Sequence, residues 1–261
     1  MDLGLTGRRA IVTGASKGIG RATARLLADE GVSLVLCARE SGPLAELCDE
    51  LRAHTQVVPV CADVMHRGSS AALRAAAVSS FGGVDIVVNN AGGGGSALKN
   101  FDEDEWHDLY TLNVTSAMRL TMECMPLMVG QRWGRVVNVG STMSRHADPR
   151  FGPYGAAKAA LLHVTRNLAQ AYSRDGVLTN CVLPGLTRSF SVLGGYAAAA
   201  TATGRTEDDI ERRMMERQPI AAGRVGEPEE VAAMIVFLCS ERASWVTGTD
   251  VAVDGGTLTD L

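Results

Sequence analysis

The 261-residue sequence predicts an α/β fold: a doubly wound, seven-stranded parallel sheet with helices on both faces. Three observations carry this. Short β-branched runs alternate with amphipathic helical stretches, the pattern of repeated βαβ units. The runs are continuously apolar, as strands covered by helices on both faces must be. A glycine-rich turn joins the first run directly to the first helical stretch. Hydrophobic residues at 46% and charged residues at 21% lie near the globular average, which excludes bulk disorder.

Each element follows from its residues. Residues 9–13 (RAIVT) are the first strand, and 21–30 the first helix, stopped by Gly31. The run SLVLCA at 33–38 is the second strand, with a helix over 44–53. Residues 56–61 are the third strand and 69–81 the next helix. The fourth strand is 84–88, followed by a long helical region over 104–128. The fifth strand, 134–139, precedes a second long helix at 154–175. Residues 178–183 and 251–253 complete the strands, with the last helix over 229–240 between them. No linker rich in Pro or Ser divides residues 1–261, so they read as a single domain.

Residues 185–223 break the pattern with Gly194-Gly195, four alanines at 197–200 and the charged run TEDDIERRMMERQ. An insertion at the carboxyl end of a strand in an open α/β sheet lies where ligands bind. It reads as a helical substrate lid, with a loose surface loop as the alternative. Phe190, Val192, Leu193, Tyr196, Met214 and Met215 either give the lid an apolar inner face or pack against the body.

Charge and composition exclude several function classes. Lys and Arg number 25 against 29 Asp and Glu, and no basic cluster appears, so no nucleic-acid partner is expected. No apolar run approaches the ~20 residues that span a bilayer. With no leader at its start, the chain is expected in the cytoplasm. None of the six cysteines has a CxxC or CxxH spacing, and no histidines have ligand spacing, so no metal is expected. Cys37, Cys61 and Cys181 lie in strand runs and read as buried small hydrophobes.

The turn Thr13-Gly14-Ala15-Ser16-Lys17-Gly18-Ile19-Gly20 has the spacing GxxxGxG between a strand and a helix. Glycines let the backbone approach a pyrophosphate, and the helix behind them points free amides at it. An acid at the end of the second strand would bind the adenosine ribose of NAD(H). That position holds Ala38, followed by Arg39. Arg39 and Lys17 are suited to a 2′-phosphate, which favours NADP(H), with NAD(H) the alternative.

Tyr154 and Lys158 form an i, i+4 pair at the start of a helix, which places phenol and ammonium on one face. A tyrosine titrates near pH ~10. A nearby cation shifts it towards neutrality, and Lys158 is positioned to supply that charge. Ser141, just past the fifth strand, is placed to hold a substrate oxygen. Asn113, in the middle of a long helix, can bind a water linking Lys158 to solvent. Taken singly, Ser141 also reads as a turn residue and Asn113 as a satisfied core amide.

Together, TGASKGIG, Asn89-Asn90-Ala91-Gly92, Asn113, Ser141, Tyr154/Lys158 and Pro184-Gly185 resemble the short-chain dehydrogenase/reductase family, in its compact single-domain branch. The resemblance runs through nearly the whole chain, down to Asp254-Gly255-Gly256, and is similar to that of 3-oxoacyl-acyl-carrier-protein reductases. It implies a Rossmann-like fold and a catalytic tetrad of Asn113, Ser141, Tyr154 and Lys158, with Tyr154 as general acid/base. It further implies coenzyme contacts from Gly14, Ser16, Lys17, Gly18, Ile19, Gly20 and Arg39. Asp63 and Val64 would touch adenine, and Asn90, Ala91 and Gly92 would lie beside the coenzyme. Tyr154, Lys158, Pro184, Gly185 and Thr187 would meet the nicotinamide riboside. A homotetramer or homodimer packed through the two long helices is also implied.

The expected function is therefore an NADP(H)-dependent oxidoreductase acting on a small carbonyl or alcohol substrate, such as a 3-oxoacyl compound. Sugar, polyol or other secondary-alcohol dehydrogenases are the enzyme alternative, and a nucleotide-binding regulator the non-enzyme one. Two departures from the family pattern stand out. Gly93-Gly94-Gly95 extends the Asn90 motif into an expected flexible loop, and the lid is longer than in compact fatty-acid reductases. His146 and Arg150, on the loop before Tyr154, either line the substrate pocket or lie on the surface.

Overall fold

A computed structural model describes residues 2–259. The elements are β1 (Arg9–Thr13), α1 (Gly18–Asp29), β2 (Ser33–Ala38), α2 (Ser41–Leu51), β3 (Val57–Cys61), α3 (Ser69–Phe81) and β4 (Ile86–Asn89). Then come α4 (Glu103–Tyr110), α5 (Ser116–Gly130), β5 (Gly134–Val139), α6 (Gly152–Tyr172) and β6 (Val177–Pro184). The chain continues with α7 (Phe190–Thr203), α8 (Glu207–Arg217), α9 (Pro228–Cys239) and β7 (Asp250–Val253). All seven strands form one parallel sheet in the order β3-β2-β1-β4-β5-β6-β7.

Strand residues alternate between two apolar layers, which is why the runs are apolar throughout. Val12, Leu34, Leu36, Val88 and Val137 pack with Leu27, Leu47 and Ile235 of α1, α2 and α9. Ile11, Val35, Val87 and Val136 pack on the opposite face with Leu73, Leu120, Met128 and Leu168 of α3, α5 and α6. Complete burial of such side chains contributes about 1.5–3 kcal/mol each.

The edges behave differently. Among the described residues β3 has one neighbour, β2, and it carries Pro59, a residue tolerated at a sheet edge because it cannot donate to a further strand. Its position corrects one expectation: Cys61 is exposed, whereas Cys37 and Cys181 are buried. Residues 185–223, expected as a helical lid, contain the two helices α7 and α8.

The chain winds outward from β1 in one direction and from β4 in the other. The crevice between the carboxyl ends of these two strands is the topological switch point, where open α/β sheets bind ligands. Its two lips are tied together. The Thr13 hydroxyl accepts hydrogen bonds from the amides of Asn90 and Ala91, at 3.1 and 3.0 Å. Asn90 Nδ2 returns two more, to the carbonyls of Thr13 (2.9 Å) and Gly14 (3.1 Å).

Candidate active site

The glycine turn leads straight from β1 into α1, which starts at Gly18, three residues earlier than the sequence pattern indicates. Lys17, its N-cap residue, makes no side-chain cap hydrogen bond. The first-turn amides have no intrahelical acceptors and remain available to an anion. A Cβ at Gly20 would lie 2.3 Å from the Gly14 carbonyl oxygen and 2.4 Å from Asn90 Nδ2, so only glycine fits there. The donor set and the bare backbone suit a pyrophosphate.

At the other end of this cleft, four side chains converge. Lys158 is buried on the first turns of α6 and donates from Nζ to the Val139 carbonyl at 2.7 Å. Its Nζ lies 5.7 Å from the centre of the Tyr154 ring. Ser141 precedes a 3-10 turn over Thr142–Ser144 and accepts from the Met143 amide at 3.2 Å. Its hydroxyl also interacts with the Tyr154 phenol.

Asn113 sits in a π-helical turn, Thr111–Thr115, between α4 and α5. The long helix expected over 104–128 is thus locally rewound at the residue singled out within it. Such π turns recur at functional sites. Asn113 Nδ2 donates to the carbonyls of Leu109 (2.9 Å) and Gly93 (3.1 Å), and Oδ1 accepts from the Gly93 amide at 3.3 Å. Much of its hydrogen-bonding capacity is therefore spent on protein, leaving one Oδ1 lone pair. A Cβ on Gly92 would lie 2.7 Å from that oxygen and 3.1 Å from Lys158 Nζ, so both polar atoms flank one point.

The glycine run after Gly92 is hydrogen-bonded at its two ends. Asn113 grips Gly93, and Glu105 of α4 accepts from both the amide (2.7 Å) and the hydroxyl (2.5 Å) of Ser96.

Burial sets the acid–base properties. It raises the Tyr154 pKa above the ordinary tyrosine value, while the Ser141 interaction pulls the other way. This reverses the sequence expectation, in which Lys158 lowers it. The reason is geometric: the Lys158 ammonium is directed to the Val139 carbonyl, and desolvation of the phenol dominates. Lys158 itself is pushed down to about 8 by burial, with a smaller opposing contribution from Cys181.

The remaining candidates occupy the carboxyl ends of the strands. Asp63 and Val64 follow β3, and Val64 joins Thr13, Asn89, Ala91 and Ser116 around a small cavity of about 10 Å³. Pro184 ends β6, the Gly185 amide donates to Val253, and buried Thr187 donates to the Gly185 carbonyl at 3.1 Å. Arg39 is exposed, and its side chain has no partner among the described residues. Lys17 is engaged: Nζ lies 2.9 Å from Glu40 Oε2 and 3.9 Å from the centre of the Phe190 ring.

His146 and Arg150 are exposed, and Arg150 pairs with Asp148 at 2.5 Å. In α7 and α8 the apolar residues divide. Phe190 and Leu193 are exposed, Tyr196 is buried, and Val192, Met214 and Met215 are half-buried. A cavity of about 530 Å³ along α8 is lined by Arg205, Asp209, Arg212, Arg213, Glu216 and Arg217, and shares no residue with the tetrad.

Two residues escape a sequence reading of the site. Thr13 clamps the switch point, and its signal was a hydroxyl at the last position of β1. Glu40 neutralises Lys17, and its signal was an acid adjoining Arg39.

Comparison with known proteins agrees with this architecture. The family model described as enoyl-(acyl carrier protein) reductase matches residues 14–258. The 3-oxoacyl-[acyl-carrier-protein] reductase of Vibrio cholerae is 34% identical over 255 residues, covering 97% of this chain and 98% of that protein. L-sorbose reductase from Gluconobacter frateurii, solved with NADPH and L-sorbose, superposes with a TM-score of 0.95 at 33% identity, all of both chains being covered. A 7α-hydroxysteroid dehydrogenase solved with NADH and a 7-oxo bile acid gives 0.87 at 31% identity, covering 100% of this chain and 98% of that one.

Proposed function

The chain belongs to the short-chain dehydrogenase/reductase family of nicotinamide-dependent oxidoreductases, and on that premise we propose an NADP(H)-dependent reductase of ketones. The substrate class we favour is a 3-oxoacyl thioester or a medium-sized ketone of similar shape. The observation that carries this reading is the convergence of Tyr154, Ser141, Lys158 and Asn113 at one end of the glycine-turn cleft.

The coenzyme, when bound, supplies the hydride. Around it, Gly14, Ser16, Gly18, Ile19 and Gly20 hold the pyrophosphate, and Lys17 and Arg39 the 2′-phosphate. Asp63 and Val64 border the adenine, while Asn90, Ala91, Gly92, Pro184, Gly185 and Thr187 line the nicotinamide end. Ser141 donates to the substrate carbonyl oxygen and fixes it beside Tyr154. Tyr154 delivers its phenolic proton to that oxygen as it becomes an alcohol. A tyrosine phenol is protonated at neutral pH and so enters the step as the donor. Lys158, charged below about pH 8, returns a proton to the phenolate left behind and regains one through water at the Asn113 Oδ1 side. The α7–α8 segment acts as the substrate lid over one domain. The assembly is a homotetramer or homodimer through the long helices, where Tyr110 and Met122 stand 48% and 42% exposed.

Consumption of NADPH and NADH, measured in parallel with a short acetoacetyl thioester, tests the proposal. Turnover with NADPH alone supports both substrate and coenzyme. Tight NADPH binding without turnover rejects the thioester. One observation favours a second reading, a sugar or polyol substrate: the end-to-end superposition on L-sorbose reductase, α7 and α8 included. Assays with NADP⁺ and a panel of polyols address it.

A further inference from the structure

We propose that Glu40 is a specificity-determining residue: it competes with the coenzyme's 2′-phosphate for Lys17, and so restrains the preference for NADP(H) over NAD(H). This rests on the NADP(H) reading above. Glu40 precedes α2 in extended conformation (φ −96°, ψ 119°), yet its carboxylate does not cap that helix. Its Oε2 instead lies 2.9 Å from Lys17 Nζ, while the Phe190 ring centre lies 3.9 Å from the same ammonium. Lys17 is thus held between an acid and an aromatic ring. Arg39, adjacent to Glu40, has a side chain without a partner among the described residues. Of the two cations suited to a 2′-phosphate, one is free and the other is neutralised.

A phosphate monoester carries about −1.5 to −2 charges at pH 7. Recruiting Lys17 to it opens the Lys17–Glu40 pair and leaves a carboxylate beside a near-dianion. The 2′-hydroxyl of NAD(H) demands neither change. The side chains of Lys17 and Glu40 are 27% and 63% exposed, so the pair is partly solvated. A pair of that kind tunes affinity several-fold without abolishing binding.

The test is calorimetric binding of NADPH, NADH, 2′,5′-ADP and 5′-AMP to the full chain. The variants are Glu40→Gln, Lys17→Ala, Arg39→Ala and the Lys17→Ala/Glu40→Gln double. Glu40→Gln is expected to tighten NADPH and 2′,5′-ADP about three- to ten-fold, and NADH and 5′-AMP less than about two-fold. The gain vanishes in the Lys17→Ala background and shrinks in about 0.5 M salt. No change, equal tightening of all four ligands, or a gain that survives Lys17→Ala overturns the proposal. The Arg39 variant separates the two readings. If Arg39→Ala weakens NADPH and Glu40→Gln does nothing, only the role of Glu40 fails. If neither Arg39→Ala nor Lys17→Ala distinguishes NADPH from NADH, the NADP(H) reading itself fails.

Discussion

The switch point between β1 and β4 and the α7–α8 segment both border the glycine turn, and different forces hold them. At the switch point, Thr13, Asn90 and the strand backbones exchange hydrogen bonds at the edge of the core. Deeper, Asn89 donates to Asn138 at 2.8 Å and to Thr121 at 3.0 Å, and Asn138 donates to Thr165 at 2.9 Å. This buried chain links β4 and β5 to α5 and α6, the helices bracketing the tetrad. By contrast α8 has no buried residue, and Tyr196 is the buried residue in α7 among the described residues. The segment is tied down by Arg188, which pairs with Glu211 at 2.7 Å and Glu227 at 3.2 Å, and by Phe190 on Lys17. Breaking a buried hydrogen bond costs about 1–3 kcal/mol, whereas exposed ion pairs are worth roughly 0–1 kcal/mol. The groups proposed to transfer the proton therefore stand on elements tied into the buried core, and the proposed lid on contacts that exchange cheaply.

The sharpest test of the rigid half is Tyr154→Phe. Loss of the acid is expected to lower turnover about 10³-fold, within the range for general acid–base groups. Coenzyme affinity, followed by fluorescence titration, is expected to stay within about two-fold, because the proposed coenzyme contacts lie mainly along the glycine turn. Turnover equal to wild type would remove Tyr154 from the chemistry.

Lys158 gives the next effect, in stability. Its pKa falls from 10.5 unfolded to about 8 folded, so the unfolded chain binds more protons between those values. Stability conferred by this site accordingly rises with pH. In urea unfolding, wild type should gain about 2 kcal/mol relative to Lys158→Met between about pH 7 and pH 9.5. A difference independent of pH would mean that the ammonium is not desolvated.

Asn138→Ala probes the buried chain. It leaves Thr165 and Asn89 short of a partner, and a global loss of about 1–3 kcal/mol is expected from denaturant midpoints. The smallest effect on global stability belongs to the lid. Arg188→Ala should cost less than about 1 kcal/mol globally. Hydrogen exchange should nevertheless quicken across residues 190–217, and KM should rise more than kcat falls. Global destabilisation by Arg188→Ala matching that of Asn138→Ala would erase the contrast between the two regions.

Legibility in the sequence divides along the same line. β1, β2 and β5 match the expected bounds because each is a short apolar run with polar or glycine flanks. The first helix begins earlier than expected because Gly18, Ile19 and Gly20 carry no capping signal, and the helix start is set by the turn. The π turn at Asn113 has no periodic signature, since one extra residue per turn is stabilised by contacts with Gly93 and α6 rather than by propensity. Cys61 was misread because an apolar run does not say whether its strand is central or at an edge. Spacing and family resemblance singled out Asn113, Ser141, Tyr154 and Lys158, which the structure brings to one end of the cleft. The direction of the Tyr154 shift was not legible, because desolvation depends on residues far apart in the chain.

The sequence by itself determined the alternation of strands and helices, the glycine turn behind the first strand and the i, i+4 placement of Tyr154 and Lys158. These are local properties, set by periodicity and by the backbone freedom of a few residues. The strand order, the clamp of Thr13 on Asn90, the grip of Asn113 on Gly93 and the pairing of Lys17 with Glu40 and Phe190 were decided only in the tertiary structure. Each joins groups far apart in the chain, whose mutual burial, and therefore whose charge and hydrogen bonding, exists only once the sheet has assembled.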